Sequence, residues 1–236
     1  MIPFVVFGGK NLRDFGVIIS GTRTYGAPAR VVSYETVKGR NGDLIIDDGV
    51  YENVEVTYTA MIHDDFARNI RDLRNYLLSV KGYARLEDCY NPDTYCLASY
   101  ANAIEFEAKG FGNSNGEIDI TFNRKPQRFL KTGETQLELT ATGTIYNPTD
   151  FDSFPMIRVY GHGDLTINGT VVSIGGTTPY VDLDCELQNA SYGSTNMNNY
   201  ITLTPYDFPY FVAGNNSLTV GNGITKVIVT PKWWHL

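Results

Sequence analysis

Residues 39–58 read Gly39-Arg40-Asn41-Gly42-Asp43-Leu44-Ile45-Ile46-Asp47-Asp48-Gly49-Val50-Tyr51-Glu52-Asn53-Val54-Glu55-Val56-Thr57-Tyr58. Asn41-Gly42 is a turn dipeptide, because both residues tolerate the positive φ that a tight hairpin needs. Leu44-Ile45-Ile46 is a short apolar run, and Asp47-Asp48-Gly49 reads as a second turn. From Tyr51 onward the pattern alternates strictly. Val54, Val56, Tyr58, Ala60 and Ile62 take one face, and Glu55, Thr57 and Thr59 take the other. A period of two marks a half-buried strand, so residues 51–62 form a strand and the fold is built on sheets.

Upstream, residues 31–37 give another strand, with Val32, Tyr34 and Thr36 alternating against Ser33 and Glu35. Residues 1–30 read as strand, loop and strand, with Val17-Ile18-Ile19 apolar and turns at Gly21, Gly26 and Pro28. Downstream comes the one convincing helix, residues 65–81. Asp64 or Asp65 caps it, and Phe66, Ile70, Leu73, Leu77 and Val80 recur at helical spacing. Arg68, Arg71 and Arg74 lie off that stripe, and Gly82 stops it. At the usual rise it is ~25 Å long, enough to cover one face of a sheet.

Strands follow at Tyr83-Ala84-Arg85-Leu86, at 102–111 (Ile104 and Phe106 against Glu105 and Glu107) and at 117–123 (Ile118, Ile120, Phe122), with a loop at Asn113-Ser114-Asn115-Gly116. Arg124-Lys125-Pro126 breaks the last of these. Alternation over 134–146 predicts one further strand. The rest is strand and turn: Met156–Tyr160, a hairpin over Asn168-Gly169, Val181 to Leu187, Ile201-Thr202-Leu203, Phe208–Val212, Ser217–Val220 and Lys226–Val229. Short strands at this spacing imply a small β-sandwich. The expected fold is therefore mainly β with one helix: an α+β domain over residues 1–130 and a sandwich over 131–236. The boundary falls near 128–133, where Gly133 allows a bend.

Composition narrows the function. In 236 residues, aromatics reach 13 % and charged residues only 19 %, which favours strands and turns. The formal net charge of −7, with no basic run longer than Arg124-Lys125-Pro126-Gln127-Arg128, argues against specific nucleic-acid binding. The first nine residues are too short an apolar run for a signal peptide or a membrane span. This predicts synthesis and folding in the cytoplasm, without membrane insertion. Cys89, Cys96 and Cys185 are too few for a disulfide scaffold. Cys89 and Cys96 could close a hairpin disulfide or stay reduced, the latter favoured by compartment.

Catalytic, cofactor and metal motifs are missing. His63, His162 and His235 have no second ligand at a metal-like offset, and His162 in Gly161-His162-Gly163 reads as a turn residue. Asp43, Asp47 and Asp48 do not fit a calcium-loop frame and read as turn chemistry. Asp182, Asp184 and Glu186 could pass for a glycosidase carboxylate set, but period-two acids opposite an apolar face read as the outside of a sheet. Trp233-Trp234 reads as an anchor for the last strand, with a sugar-stacking platform as the alternative. The sequons at Asn168, Asn189 and Asn215 carry little meaning without secretion.

Three blocks carry a family resemblance. Asn11-Leu12 with Val17-Ile18-Ile19, then Gly39-Arg40-Asn41-Gly42-Asp43-Leu44, then Asp47-Asp48-Gly49 with Tyr51-Glu52-Asn53-Val54 resemble the distal tail proteins of long-tailed phages and prophages of Gram-positive bacteria. Phe122-Asn123-Arg124-Lys125-Pro126, Asn147-Pro148 through Gly161 and Gly163, and Val229-Thr230-Pro231-Lys232-Trp233 fit the same family. The resemblance implies a hexameric ring between tail tube and tail tip, with a galectin-like C-terminal sandwich facing outward. It implies an extended hairpin, about residues 34–56, lying along the neighbouring subunit as a belt. Arg40, Asn41, Asp43, Leu44, Ile45, Ile46, Asp47 and Asp48 are then interface residues, and Trp233 and Trp234 the C-terminal anchor. The implied partners are further copies of the chain, the tail tube protein, a tail-tip protein and receptor-binding proteins, all within the virion. A carbohydrate-binding module on the same sandwich is the alternative function, and a sandwich glycosidase is a more distant rival.

Overall fold

Val56, Tyr58, Ala60 and Ile62 are all buried, while Glu55, Thr57, Thr59 and Met61 between them face outward. That alternating strand is the frame of the first of two compact units, residues 1–128 with Leu236; the second is residues 129–235. The computed structural model describes residues 3–20, 26–63, 65–102, 107–109 and 115–236. For His63, residues 107–109 and Asn115 it describes the backbone. Gly21, Asp64, Ile104 and Phe106 lie outside the described residues.

The first unit runs β1 (Val5–Phe7), β2 (Lys10–Asn11), β3 (Val17–Ile19), β4 (Arg30–Thr36), β5 (Asp43–Tyr51) and β6 (Val54–His63). Helix α1 (Phe66–Ser79) follows, then β7 (Ala84–Asp88), β8 (Thr94–Ser99), β9 (Glu107–Lys109) and β10 (Asn115–Leu130). One sheet has the order β2-β1-β7-β8-β10-β6-β3, with β9 also pairing β10. Phe66, Ile70, Leu73 and Leu77 of α1 pack on its inner face with Val5, Phe7, Tyr58, Ile62, Ile120 and Phe122. This is the helix-on-sheet layering that the apolar stripe implies. The helix is shorter than residues 65–81. Asp65 sits at the cap in a left-handed conformation and makes no side-chain capping bond, and Val80 is already extended.

Three expectations fail in this unit. Asn115 and Gly116 open β10 rather than forming a loop, and β10 continues through Arg124-Lys125-Pro126 to Leu130. Pro126 is tolerated because pairing with β6 ends at Arg124↔Val54, so the missing N–H costs no bond on that side. Asp47-Asp48-Gly49 is also no turn. It lies inside β5, where Gly49 at φ 70 and the register shift between Arg30 and Val32 make a bulge.

The second unit contains β11 (Leu137–Leu139), β12 (Gly143–Asn147), β13 (Met156–Gly161), β14 (Gly163–Ile167), β15 (Thr170–Ile174) and β16 (Tyr180–Asp184). It continues through β17 (Asn189–Tyr192), β18 (Thr195–Asn196), β19 (Ile201–Thr204), β20 (Gly214–Val220), β21 (Ile224–Thr230) and β22 (Trp234–His235). A sheet in the order β11-β21-β13-β16-β17-β18 faces one in the order β12-β20-β14-β15-β19. Ile157, Val159, Leu165, Ile167, Val181, Leu183, Leu218, Val227 and Val229 fill one core from both, making a β-sandwich.

The stretch 134–146 is thus two strands, not one, because β11 joins the first sheet and β12 the second, with the chain crossing between them at 140–142. Phe208–Val212 is not a strand either; Phe211 makes a single bridge to Ser153. Leu187 is exposed, since the chain leaves β16 in a turn through Gln188 at φ 52. The Asn168-Gly169 turn joins β14 to β15 with both residues at positive φ, as that dipeptide requires.

Four glycines fix the passage between the two sheets. A Cβ on Gly161 would meet the Gly223 carbonyl, one on Gly163 the Asn222 carbonyl, one on Gly221 the Asp164 carbonyl, and one on Gly223 the His162 carbonyl. Here β13 turns into β14 and β20 into β21, and the two connections cross at backbone distance. His162 lies in that crossing.

Candidate assembly surfaces

The β4–β5 hairpin stands apart from any core. Every residue of β5 from Asp43 to Val50 is exposed, and so is every residue from Ser33 to Gly42. Pairs opposite each other share a face, so Val32/Asp47, Tyr34/Ile45 and Thr36/Asp43 occupy one side and Ser33/Ile46 and Glu35/Leu44 the other. Tyr34 and Ile45 are 63 % and 60 % exposed on the first; Leu44 and Ile46 are 43 % and 40 % exposed on the second. Among the described residues this two-stranded ribbon exposes apolar side chains on both faces.

Its conformation is nonetheless fixed. At the base, Arg30 Nη1 donates to Asp47 Oδ2 at 2.7 Å and Nη2 donates to the Tyr51 hydroxyl at 3.3 Å. The Gly49 N–H donates to Asp47 Oδ1 at 2.9 Å, so one carboxylate holds both the bulge and the opposite strand. That amide, followed by Arg30, holds the Asp47 carboxyl below its usual value. Tyr51 and then Asp47 raise the Arg30 guanidinium. Near the tip Thr36 Oγ1 donates to Asp43 Oδ1 at 2.8 Å, and the turn 37–42 presents Lys38 and Arg40 with no acid. Arg40, Asn41, Asp43, Leu44, Ile45, Ile46, Asp47 and Asp48 therefore lie together on one projecting arm. Asp43 and Asp47 are held by Thr36 and Arg30. Among the described residues no group of three His, Cys, Asp or Glu could hold a metal ion.

Trp233 and Trp234 lie in the second unit. Trp233 is buried beside Phe211, with ring centroids 5.5 Å apart, and its carbonyl accepts from Leu130 N at 2.8 Å. Trp234 stacks on Phe151 at 4.5 Å and donates from Nε1 to the Asp152 carbonyl at 2.8 Å. Trp233 is buried and Trp234 half-buried.

The carboxylates of β16 are similarly engaged. Arg158 Nε and Nη2 grip Asp182 at 2.7 and 2.9 Å, and the guanidinium lies 4.3 Å over the Tyr180 ring. The bond to Asp182 raises the Arg158 pKa further. Asp184 Oδ1 accepts from the N–H groups of Glu186 and Leu187, and Glu186 meets Lys232 at 3.2 Å. A groove of about 220 Å³ lined by Gln136, Met156, Arg158, Asp182, Ile228 and Thr230 adjoins the first pair. Its two charged groups, Arg158 and Asp182, are occupied with one another. Cys89, Cys96 and Cys185 are free thiols. No helix of the described residues is long and apolar enough to cross a membrane.

Sequence reasoning passed over two kinds of residue. Ile18 and Met61 form a directly opposed pair on the outer face of the main sheet, each 40 % exposed. The signal was present as apolar residues out of phase with the strand alternation. Asn216, which reads as one more loop asparagine, is wholly buried. Its Oδ1 accepts from Val212 N at 2.8 Å and Asn168 Nδ2 at 2.6 Å, and its Nδ2 donates to the carbonyls of Val212, Gly214 and Ile145. Asn168 also donates to Tyr210 O and accepts from Ser217 N, so this sequon asparagine is a structural tie.

No family model and no curated protein matches the sequence. Solved structures do match in fold, and they define a class: phage tail hub and baseplate proteins. The Dit protein of phage SPP1, described as a paradigm of the hub adsorption apparatus in phages infecting Gram-positive bacteria, aligns over 100 % of both chains with a TM-score of 0.76 at 16 % identity. A chain of the phage P2 baseplate in its calcium-activated conformation aligns over 97 % of each chain, with a TM-score of 0.53 at 11 % identity. The strontium form of that baseplate gives 0.51 at 12 % identity over 97 % of this chain and 98 % of that one. The chain has the fold of a phage distal tail protein, from end to end.

Proposed function

We propose that this chain is a structural hub of a phage tail tip, assembling into a hexameric ring between tail tube and tip through which DNA passes. The observation that carries this reading is the β4–β5 arm, whose apolar side chains are exposed on both faces although its conformation is clamped at the base. The apolar side chains of such an arm are buried only by a partner, and a head-to-tail contact between identical copies repeats until it closes. Likeness over the whole chain to the SPP1 hub protein supports the same reading. The formal charge of −7 suits a conduit that must not retain DNA. The tail tube protein, a tail-tip protein and receptor-binding proteins are the remaining partners, in a virion assembled in the host cytoplasm. The ring is structural and carries out no catalysis.

Light scattering tests it. The subunit is 26.3 kDa, and a closed hexamer gives about 160 kDa. Replacing residues 31–50 by an Asn-Gly turn between Arg30 and Tyr51 should return the mass to that of one subunit with the melting curve little changed. A single-subunit mass for the intact chain at every concentration and salt overturns the ring.

A further inference from the structure

The sequence holds four Asn-Gly dipeptides, at Asn41-Gly42, Asn115-Gly116, Asn168-Gly169 and Asn222-Gly223. Glycine has no Cβ to keep the preceding asparagine side chain away from its N–H, so a freely moving Asn-Gly can close on itself. The fold restrains three of the four by three different means. Gly116 is buried in β10 between Ile62 of β6 and Ala108 of β9, so its backbone is held in a ladder on both sides. The Asn168 side chain is engaged: Nδ2 donates to the Tyr210 carbonyl and to Asn216 Oδ1, and Oδ1 accepts from the Ser217 N–H. Gly223 is wedged in the four-glycine crossing, with the His162 carbonyl against it and its own carbonyl against Gly161.

Asn41-Gly42 has none of these restraints. It lies in the exposed turn between β4 and β5, outside either strand, and a Cβ at Gly42 would meet nothing within 4 Å. Among the described residues neither Asn41 nor Gly42 makes a hydrogen bond or an ion pair. We propose that Asn41 is a site of spontaneous covalent modification, deamidating through a cyclic imide while the other three dipeptides stay intact in the folded chain. The Gly42 nitrogen gives its proton to a base in solvent and attacks Asn41 Cγ. The N–Cγ bond forms, the Cγ–Nδ2 bond breaks, and the departing nitrogen takes a proton from water to leave as ammonia. Water then opens the ring at either carbonyl, giving aspartate or β-aspartate. Either product puts a carboxylate into a turn whose charged residues are Lys38 and Arg40, and the β-linkage adds a methylene to the main chain. On the ring reading above, on which this last step rests, the arm then brings a new anion that a partner must desolvate, and conversion disfavours assembly.

Incubation of the intact chain at pH 8 and about 37 °C, followed by peptide mapping, tests the site. Mass spectrometry reads the conversion of amide to acid, and enzymatic methylation of β-aspartyl carboxyls reads the isomerised fraction. In the folded chain Asn41 should convert about tenfold or more faster than Asn168 or Asn222, since these react only after a local opening. In urea all four dipeptides should convert at comparable rates. Asn41→Gln should remove the folded-state reaction, because its larger ring closes far more slowly. Equal rates at Asn41 and Asn168 in the folded chain, or the same gap between them in urea, would overturn the proposal. Asn41→Asp supplies the product directly, and its assembled fraction should fall severalfold below that of the parent. If Asn41→Asp assembles as the parent does, the step to assembly is wrong and the modification site stands. If the parent itself has the mass of one subunit at every concentration, the ring reading falls and the modification site still stands.

Discussion

Asn216→Ala should cost the second unit about 3 kcal/mol. The side chain is fully buried and makes hydrogen bonds through both of its polar atoms, two accepted by Oδ1 and three donated by Nδ2. Truncation leaves the Val212 N–H and the carbonyls of Val212, Gly214 and Ile145 short of a partner. Water can reach those near the exposed Val212–Gly214 loop, so two groups are taken as stranded at ~1.5 kcal/mol each. For a unit of roughly 100 residues that loss lowers the melting temperature by about 15 °C. Both tryptophans of the chain lie in this unit, so urea unfolding followed by tryptophan fluorescence reports it selectively. Asn215→Ala, next door and exposed, serves as the control and should change stability by no more than about 0.5 kcal/mol. If Asn216→Ala unfolds within about 1 kcal/mol of the parent, the buried amide is not the tie between the loop, β12 and the Asn168 turn.

Three further outcomes follow from the same geometry. Gly161→Ala should cost at least about 3 kcal/mol or yield no soluble protein, since its Cβ would collide with backbone and its φ is +92; parent-like urea unfolding would mean that the crossover can open. Burial pushes the Cys185 thiol up to about 12, so iodoacetamide at pH 8 should modify half-buried Cys89 in minutes and leave Cys185 untouched until denaturant is added, as read by mass spectrometry. Because the folded Asp47 carboxyl titrates below its unfolded value, its contribution to the arm is present above the ordinary carboxylate range and is lost as pH falls through the lowered value; NMR titration should find it lowered, and restored toward the ordinary value in Arg30→Ala.

Much of the first unit was legible from local pattern. The alternation through Val56, Tyr58, Ala60 and Ile62 and the stripe Phe66, Ile70, Leu73, Leu77 survive because each depends on one period and one buried face. The misreadings share a cause. Pro126, Asp47-Asp48-Gly49 and the run 134–146 each look decisive locally, yet their outcome depends on which strand lies alongside. Pro126 is harmless where the β6 partner has ended, Gly49 makes a bulge where Arg30 reaches across to Asp47, and 140–142 changes sheets because β11 and β12 pair with different strands. Pairing partners are non-local, and no window of the chain contains them. The arm residues were readable as an uncovered apolar ribbon, but the Ile18–Met61 pair was not, since its two members lie 43 positions apart in the chain and meet only through the register of β3 on β6.

The four-glycine crossing has a consequence for how a chain like this can diverge. Core side chains such as Val159 or Leu218 can be exchanged among apolar residues of similar volume, so drift erodes them quickly while the packing persists. Gly161, Gly163, Gly221 and Gly223 have no such substitutes, because any side chain at these places would have to occupy space already filled by a carbonyl. Two Gly-x-Gly words separated by about sixty residues are therefore a fingerprint that outlasts overall identity. Searching for that spacing, rather than for similarity along the whole sequence, is the way to collect relatives whose remaining residues have drifted beyond alignment.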